Sequence, residues 1–287
     1  MEKYLLFMDV AGDVDLALAK ENELRFVPME FIIDGESRIY DETPEGLNVN
    51  DFYNWIKEDK QIRTTQINSY RYEEFFSPYL KEGYSVLYLC LSSGLSSTYQ
   101  SACAAAEELK KKYPEAKLLP VDSLLATAPM GLLCERMIEN KNKGLSIDEN
   151  AKDLNEMKRK VAGYVFVDDL NSLKRGGRIS PAVAFVGALL NIKPIITIYD
   201  GTLHMVDKQK GVKNSIRKLC EYFEEQHDFS VSDTCYIADA CEKEHSDETE
   251  AAVRAAVPDC TIKKRFLSPI IGAHLGKGAI VISFWKK

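Results

Sequence analysis

Ser85-Val86-Leu87-Tyr88-Leu89-Cys90-Leu91-Ser92-Ser93-Gly94-Leu95-Ser96-Ser97-Thr98 is the stretch on which the fold turns. From Val86 to Leu91 it is an unbroken apolar run of strand length, the pattern of a strand covered on both faces. A serine loop follows, and an alanine-rich helical stretch then continues to about Lys112. Buried strand, loop and helix in that order make half of a parallel βαβ unit. The same rhythm extends outward. Tyr4-Leu5-Leu6-Phe7-Met8 reads as a buried strand closing on Asp9, and Lys117 to Val121 leads to Asp122-Ser123. Arg25 to Ile33 reads as one further extended segment ending in the turn signal Asp34-Gly35. Asn50 is placed to cap a helix whose apolar face includes Phe52, Tyr53 and Ile56, and two more helical stretches reach about Lys160.

After Val161 the pattern changes. Tyr164-Val165-Phe166-Val167 is a strand, and Ser180-Pro181 is a helix start with a capping hydroxyl and a first-turn proline. Pro194 to Tyr199 and Thr202 to Val206 flank Asp200-Gly201, the favoured two-residue hairpin turn. Helices near 212–226 and 246–257 alternate with strands at Cys235–Ala238 and Thr261–Lys263, and Ile280 to Trp285 closes the chain. The expected fold is α/β in two domains. Residues 1–160 carry a mainly parallel sheet flanked by helices, and residues 161–287 carry a mixed sheet with helices of its own.

Composition narrows the classes of function. The 287 residues are 45% hydrophobic, 28% charged and 10% aromatic, which are globular values. Forty-four acids against 37 bases leave a net charge of −7, the wrong sign for a broad nucleic-acid surface. Seven scattered cysteines without a CxxC form no bridge framework and suit a reducing compartment. The N-terminal apolar run is too short for a signal peptide, and no stretch of 18 apolar residues is present. A soluble, cytoplasmic protein is expected.

Several clusters carry candidate chemistry. Ser92, Ser93, Ser96, Ser97 and Thr98 stand where a strand opens onto a crevice and a helix begins, so they suit an anion, or they cap the helix. Arg63-Thr64-Thr65-Gln66 is a second hydroxyl cluster, or an ordinary turn. Asp9 and Asp122, at strand ends expected on the serine loop's edge of the sheet, are an acid–base pair or satisfiers of loop N–H groups. Lys174-Arg175-Gly176-Gly177-Arg178 gathers three cations and two glycines, matching carboxylate or phosphate as well as a solvated loop. Lys208, Lys210, Lys213, Arg217 and Lys218 make a basic stretch, either a solvated face or a dock for an acidic partner. His274 lies among glycines as a donor to an anion or as a structural residue. His204, His227, His245 and His274 form no HxxxH pair, so no metal is expected. There is no GxSxG elbow, no GxGxxG after the first strand and no Walker lysine.

In this order the pieces resemble the DegV family, bacterial fatty-acid-binding proteins that serve as acyl-carrying subunits of fatty acid kinase. The resemblance spans nearly the whole chain. It rests on Asp9, Arg63-Thr64-Thr65-Gln66, the run from Leu91 to Ala102, Val121-Asp122-Ser123, Leu173 to Ile179, Ile192-Lys193-Pro194-Ile195, Asp200-Gly201 and Ile271-Gly272-Ala273-His274. It implies a two-domain protein that takes a long-chain fatty acid as ligand, without a cofactor. The carboxylate would be held by hydroxyls of Thr64 or Thr65 and of Ser93, with Ser96 beside them. Asp9, Arg178, Lys210 and His274 would lie near the head group or face the partner. That partner would be a separate ATP-dependent fatty acid kinase, with transient membrane contact for lipid exchange and no turnover by the binding subunit itself.

The chain departs from the family pattern at Val10, Ile67 and Ser97, at the bulky Leu124-Leu125, and at Lys210, where an arginine is common. Two other readings follow from residue types. One is a serine-dependent acyl hydrolase using Ser93 or Ser96 with His274; the other is a lipid or small-anion sensor that docks a regulator through 208–218.

Overall fold

β1 (Tyr4–Asp9) and β6 (Ser85–Cys90) are buried at every position and pair in parallel, as unbroken apolar runs require. The computed structural model describes residues 3–43, 46–168, 172–173, 176–178 and 191–287. The helix start at Ser180-Pro181, with Lys174, Arg175 and Ile179 of the basic loop, lies outside the described residues. β2 (Arg25–Val27) and β7 (Leu118–Asp122) complete a four-stranded parallel sheet in the order β2-β1-β6-β7. Helices α3 (Ser69–Lys81) and α4 (Thr98–Lys112) make the crossovers on either side of β6. Phe7 meets Phe75, Phe76 and Tyr79 of α3 edge-on, with centroids 5.2–5.9 Å apart.

The segment from Arg25 to Ile33 is not one strand. Pro28 has no N–H to give the ladder, and the chain leaves the parallel sheet there. β3 (Met29–Ile33) instead joins a small antiparallel sheet, β4-β3-β5, with β4 (Glu36–Tyr40) and β5 (Ile62–Thr64). Asp34 and Gly35 both take positive φ, 49° and 89°, and close the β3–β4 hairpin. Helix α2 (Val49–Lys57) buries Phe52 and Tyr53, but its cap is Asn48, whose side chain accepts the Asn50 N–H at 2.8 Å. Asn50 therefore lies inside the first turn, two residues beyond the cap.

The second sheet has six strands in the order β10-β9-β8-β13-β11-β12: β8 (Val161–Phe166), β9 (Ile192–Tyr199), β10 (Thr202–Lys210), β11 (Thr234–Asp239), β12 (Thr261–Phe266) and β13 (Ile280–Trp285). Only β11 and β12 run parallel, so the sheet is mixed. Helices α7 (Val212–Gln226) and α8 (Lys243–Ala256) enclose a core built on Phe166, Leu219, Phe223, Ile237 and Phe284.

Helix α5 (Thr127–Asn142) stands between the two large sheets, packing against β1 on one side and β8, β11 and β13 on the other. It is buried nearly all round, so its apolar residues cover every face and not a single stripe. A continuous core therefore joins Leu6 and Phe7 to Val165 and Tyr236. Helix α6 (Ile147–Met157), started by a Ser146–Glu149 capping box, leads through a short 3-10 turn into β8. A short helix the sequence pattern did not suggest, α9 (Pro269–Leu275), links β12 to β13 and carries His274.

Candidate functional site

The serine loop leaves β6 at the edge of the parallel sheet, and carboxylates hold its backbone. Asp9, the last residue of β1, is fully buried; its Oδ2 accepts the Leu91 N–H at 2.6 Å, and its other oxygen accepts the Tyr88 hydroxyl. Tyr72 extends this hydrogen-bonded series, with its hydroxyl 2.7 Å from that of Tyr88. Burial pushes the Asp9 carboxyl up to about 7 against the pull of these donors. Asp122, which ends β7, accepts the N–H groups of Ser93 (3.1 Å) and Leu124 (3.0 Å). Both aspartates thus satisfy loop N–H groups. Asp9 does not itself line the cavity: its side chain is buried beneath the loop and bonded to Leu91, which does.

The other side of the loop rests on the β9–β10 hairpin. Ser92 Oγ donates to the Gly201 carbonyl at 2.7 Å and accepts the Gly94 N–H at 3.2 Å. A Cβ on Gly94 would stand 2.4 Å from the Gly201 oxygen, so the approach needs glycine on the loop. Ser96 Oγ lies 2.8 Å from Thr98 Oγ1 and accepts the Thr98 N–H at 3.3 Å, starting α4. The Ser93 hydroxyl makes no hydrogen bond among the described residues.

Above the loop is a cavity of about 410 Å³, within the range of small-molecule sites. Its apolar wall is the inner face of the six-stranded sheet. Val281, Val165 and Ile196 are cross-strand neighbours there, as are Ile198 and Leu203, and partners directly opposite share a face. Ala126, Thr127 and Pro129 at the start of α5 form a second wall, and Ile270, Ile271 and Leu275 of α9 a third. Its polar groups include Thr64, Thr65, Gln66, Ser93, Ser96, Ser97, Thr197, Arg178 and His274.

Thr64 and Thr65 both line the cavity from the end of β5, but they differ. Thr65 Oγ1 is held by Glu30, 3.2 Å from its carboxylate and 3.3 Å from its carbonyl. Thr64 Oγ1 lies 2.9 Å from His274 Nε2. The backbone of Gly176 packs so closely on His274 that a Cβ there would come within 2.6 Å of Nδ1. Burial, with the Arg178 guanidinium nearby, holds the imidazole down at about 4, so it is neutral near pH 7. Arg178 hydrogen-bonds the carbonyls of Gly176 (2.7 Å) and Leu95 (3.3 Å), which ties the basic loop to the serine loop. His274 is bonded to Thr64, and no serine–histidine pair occurs among the described residues.

Of the remaining expected positions, Lys210 is exposed at the end of β10 and does not line the cavity. Val10 and Leu125 are buried outside the lining, and Leu124 seats against Gly201, so these bulky departures do not fill the cavity. Ser97 lines the cavity without a side-chain bond to the helix it precedes. Sequence reasoning missed Thr127 and Asp13, whose side chains are hydrogen-bonded to each other. A second aspartate four residues after Asp9 was the available signal. Among the described residues no group of three His, Cys, Asp or Glu side chains could hold a metal, and no helix is long and apolar enough to cross a membrane.

An apolar cavity with hydroxyls and, among the described residues, one guanidinium on its rim, set between α/β layers, is the kind of site that suits a small amphipathic molecule. The chain belongs to the DegV family: the model for that family, described as uncharacterised DegV proteins, matches residues 3–287. A DegV domain-containing protein of Clostridium perfringens is 36% identical over 285 residues, covering 99% of this chain and 98% of that protein. The crystal structure of DegV from Bacillus subtilis, a fatty acid binding protein, matches with a TM-score of 0.84 at 26% identity and covers all of both chains. A DegV lipid binding protein from Thermotoga maritima matches with a TM-score of 0.84 at 25% identity, over 99% of this chain and 100% of its own.

Proposed function

We propose that this protein binds one long-chain fatty acid in the cavity and has no catalytic turnover of its own. The carboxylate lies among Thr64, Thr65, Ser93 and Ser96, close to Arg178 and His274, and the acyl chain runs along the apolar wall of the six-stranded sheet. The observation that carries this reading is the pairing of an apolar cavity with a rim of hydroxyls, one of which, on Ser93, has no partner among the described residues. Burying about 16 carbons at ~0.8 kcal/mol per CH₂ supplies on the order of 10 kcal/mol before the costs of association. The head group then needs only orientation, which hydroxyls and a neutral imidazole provide without trapping the carboxylate.

In this reading residues 1–160 supply the head-group loops and residues 161–287 the acyl wall. A separate ATP-dependent kinase phosphorylates the presented carboxylate, and the lipid exchanges with membranes by transient contact. Exposed Lys210 is available to such a partner. The family relationship and the fatty-acid and lipid binding of its structural relatives support the ligand class. A hydrolase has less support, because His274 is engaged with Thr64 and not with a serine.

The test is native mass spectrometry of freshly purified protein, with solvent extraction to identify what is bound. One fatty acid per chain is expected, with retention reduced in a Ser93→Ala/Thr64→Ala double variant. An empty protein that also refuses added fatty acids refutes the reading.

A further inference from the structure

Asp13 is fully buried and outside the cavity lining, with the Arg265–Glu42 ion pair close enough to act on it. Its carboxylate accepts hydrogen bonds from two elements at once. Oδ2 accepts the hydroxyl of Thr127, the first residue of α5, and Oδ1 accepts the backbone N–H of Ser268, the cap of α9, at 2.9 Å. The surrounding backbone repeats the tie. Asp13 N–H donates to the Thr127 carbonyl (3.2 Å), Thr127 N–H donates to the Ala11 carbonyl (2.8 Å), and Ser268 Oγ donates to the Val10 carbonyl (2.5 Å). Thr127 sits at φ 48°, in the left-handed region that a β-branched residue rarely adopts, so something must hold it there. Both tied elements wall the cavity, α5 through Thr127 and Pro129 and α9 through Ile270, Ile271 and His274.

We propose that Asp13 is a positioning residue for ligand binding, a pin that holds the N-terminal end of α9 against the start of α5 and so keeps that wall of the cavity in place over its occupant. α9 has only 7 residues and no long-range hydrogen-bonded ladder of its own. Its placement rests on the Asp13–Ser268 and Ser268–Val10 bonds, the bond from the Tyr53 hydroxyl to the Leu267 carbonyl, the Thr64–His274 bond, and the packing of Gly272 on Phe52 and Tyr53. Of these, the Asp13 bond alone ties the helix start to α5. Without it, α9 keeps the His274, Ser268–Val10 and Tyr53–Leu267 bonds but loses its link to α5, and it loosens at its N-terminal end, where Ile270 and Ile271 cover the cavity. The pin adds nothing to the contacts made by the ligand. It slows the opening through which the ligand leaves.

This inference rests on the fatty-acid reading, and the experiment separates the two. Purified protein is loaded with labelled palmitate, and transfer of the label to albumin is followed over time. In parallel, hydrogen exchange is measured across residues 269–275 and thermal unfolding is recorded. Asp13→Ala is expected to release palmitate about tenfold faster or more, with exchange rising in α9 more than in the central strands β1 and β6. Asp13→Asn restores slow release, since its amide keeps an oxygen for the Ser268 N–H and a donor for the Thr127 hydroxyl. Thr127→Val removes the hydroxyl half of the tie with little change of shape and leaves the Asp13–Ser268 bond, so it is expected to speed release in the same direction but by less, which covers the case in which Asp13→Ala does not fold. Wild-type release and α9 exchange in these two variants, or faster release with exchange raised evenly over the chain, overturns the proposal. A wild-type protein that holds no palmitate overturns the fatty-acid reading itself.

Discussion

Replacing Gly94 by alanine tests whether the serine loop is shaped by its contact with the β9–β10 hairpin. The new Cβ would lie 2.4 Å from the Gly201 carbonyl oxygen and 2.9 Å from its carbon, where ordinary contact begins near 3.4 Å. Both Gly201 atoms are backbone, so no side-chain rotation relieves the clash, and loop and hairpin must separate by about 1 Å. The Ser92–Gly201 hydrogen bond of 2.7 Å does not survive that shift, and stranding its buried groups costs about 1–3 kcal/mol. With the loss of packing around Leu124, the total is about 2–4 kcal/mol, or a fall in Tm of roughly 4–8 °C for a chain of this size. Because Ser93, Leu95 and Ser96 line the cavity, fatty-acid occupancy falls with it. Gly83→Ala is the control. Gly83 has φ +83° with nothing within 4 Å of its Cβ position, so it carries only the backbone cost of about 1–2 kcal/mol and leaves occupancy unchanged. Thermal unfolding together with lipid extraction reads both variants. A Gly94→Ala protein with wild-type Tm and full occupancy would refute the argument that this contact sets the loop.

Two further expectations concern the balance of head group and tail, and acid sensitivity. In the proposed binding mode Thr64→Val removes one charge-assisted hydrogen bond to the carboxylate and is expected to weaken binding by about 1.5–3 kcal/mol. Shortening the fatty acid by about four carbons costs ~3 kcal/mol, so titration should find the two perturbations comparable; a much larger Thr64 effect would mean that the head group dominates. His227 is fully buried against Phe223, Phe229 and Phe284, with both ring nitrogens unpartnered among the described residues, and burial depresses it from 6.5 to about 4. The unfolded chain therefore takes up this proton first. The stability His227 preserves is complete above pH 6.5 and is lost as pH falls toward 4, by at most about 3 kcal/mol. Asp9 and Asp13, raised to about 7, act in the opposite sense, so that their contribution is present at low pH and lost as pH rises through 7. The difference between wild type and His227→Phe cancels the aspartates. Denaturation at about pH 7.5 and about pH 4.5 should show the variant losing less stability in acid, and equal losses would count against the assignment.

Local pattern carried the sheets. Residues 86–91 and 4–8 could only be strands covered on both faces, and Asp200-Gly201 could only turn a hairpin, because backbone geometry and apolar periodicity act over a few residues. The hydroxyl loops and His274 were legible for the same reason, as short clusters of one chemical type. The break at Pro28 was written in the sequence as well, but where β3 goes after it depends on β5, some 30 residues later. Which serine is free and which is engaged could not be read at all. Ser92 is bonded to a carbonyl 109 residues away, whereas Ser93, its neighbour, faces the cavity.

The sequence by itself determined the layered α/β class, the strands and turns, and the candidate polar groups, since each of these depends on neighbours along the chain. Only the tertiary structure decided that Asp9 is a buried strut, that Thr65 is held by Glu30 while Thr64 meets His274, and that Asp13 joins α5 to α9. Those outcomes depend on which side chains the packing of α5 between two sheets brings within about 3 Å of each other, a matter of distance in space that spacing along the chain does not encode.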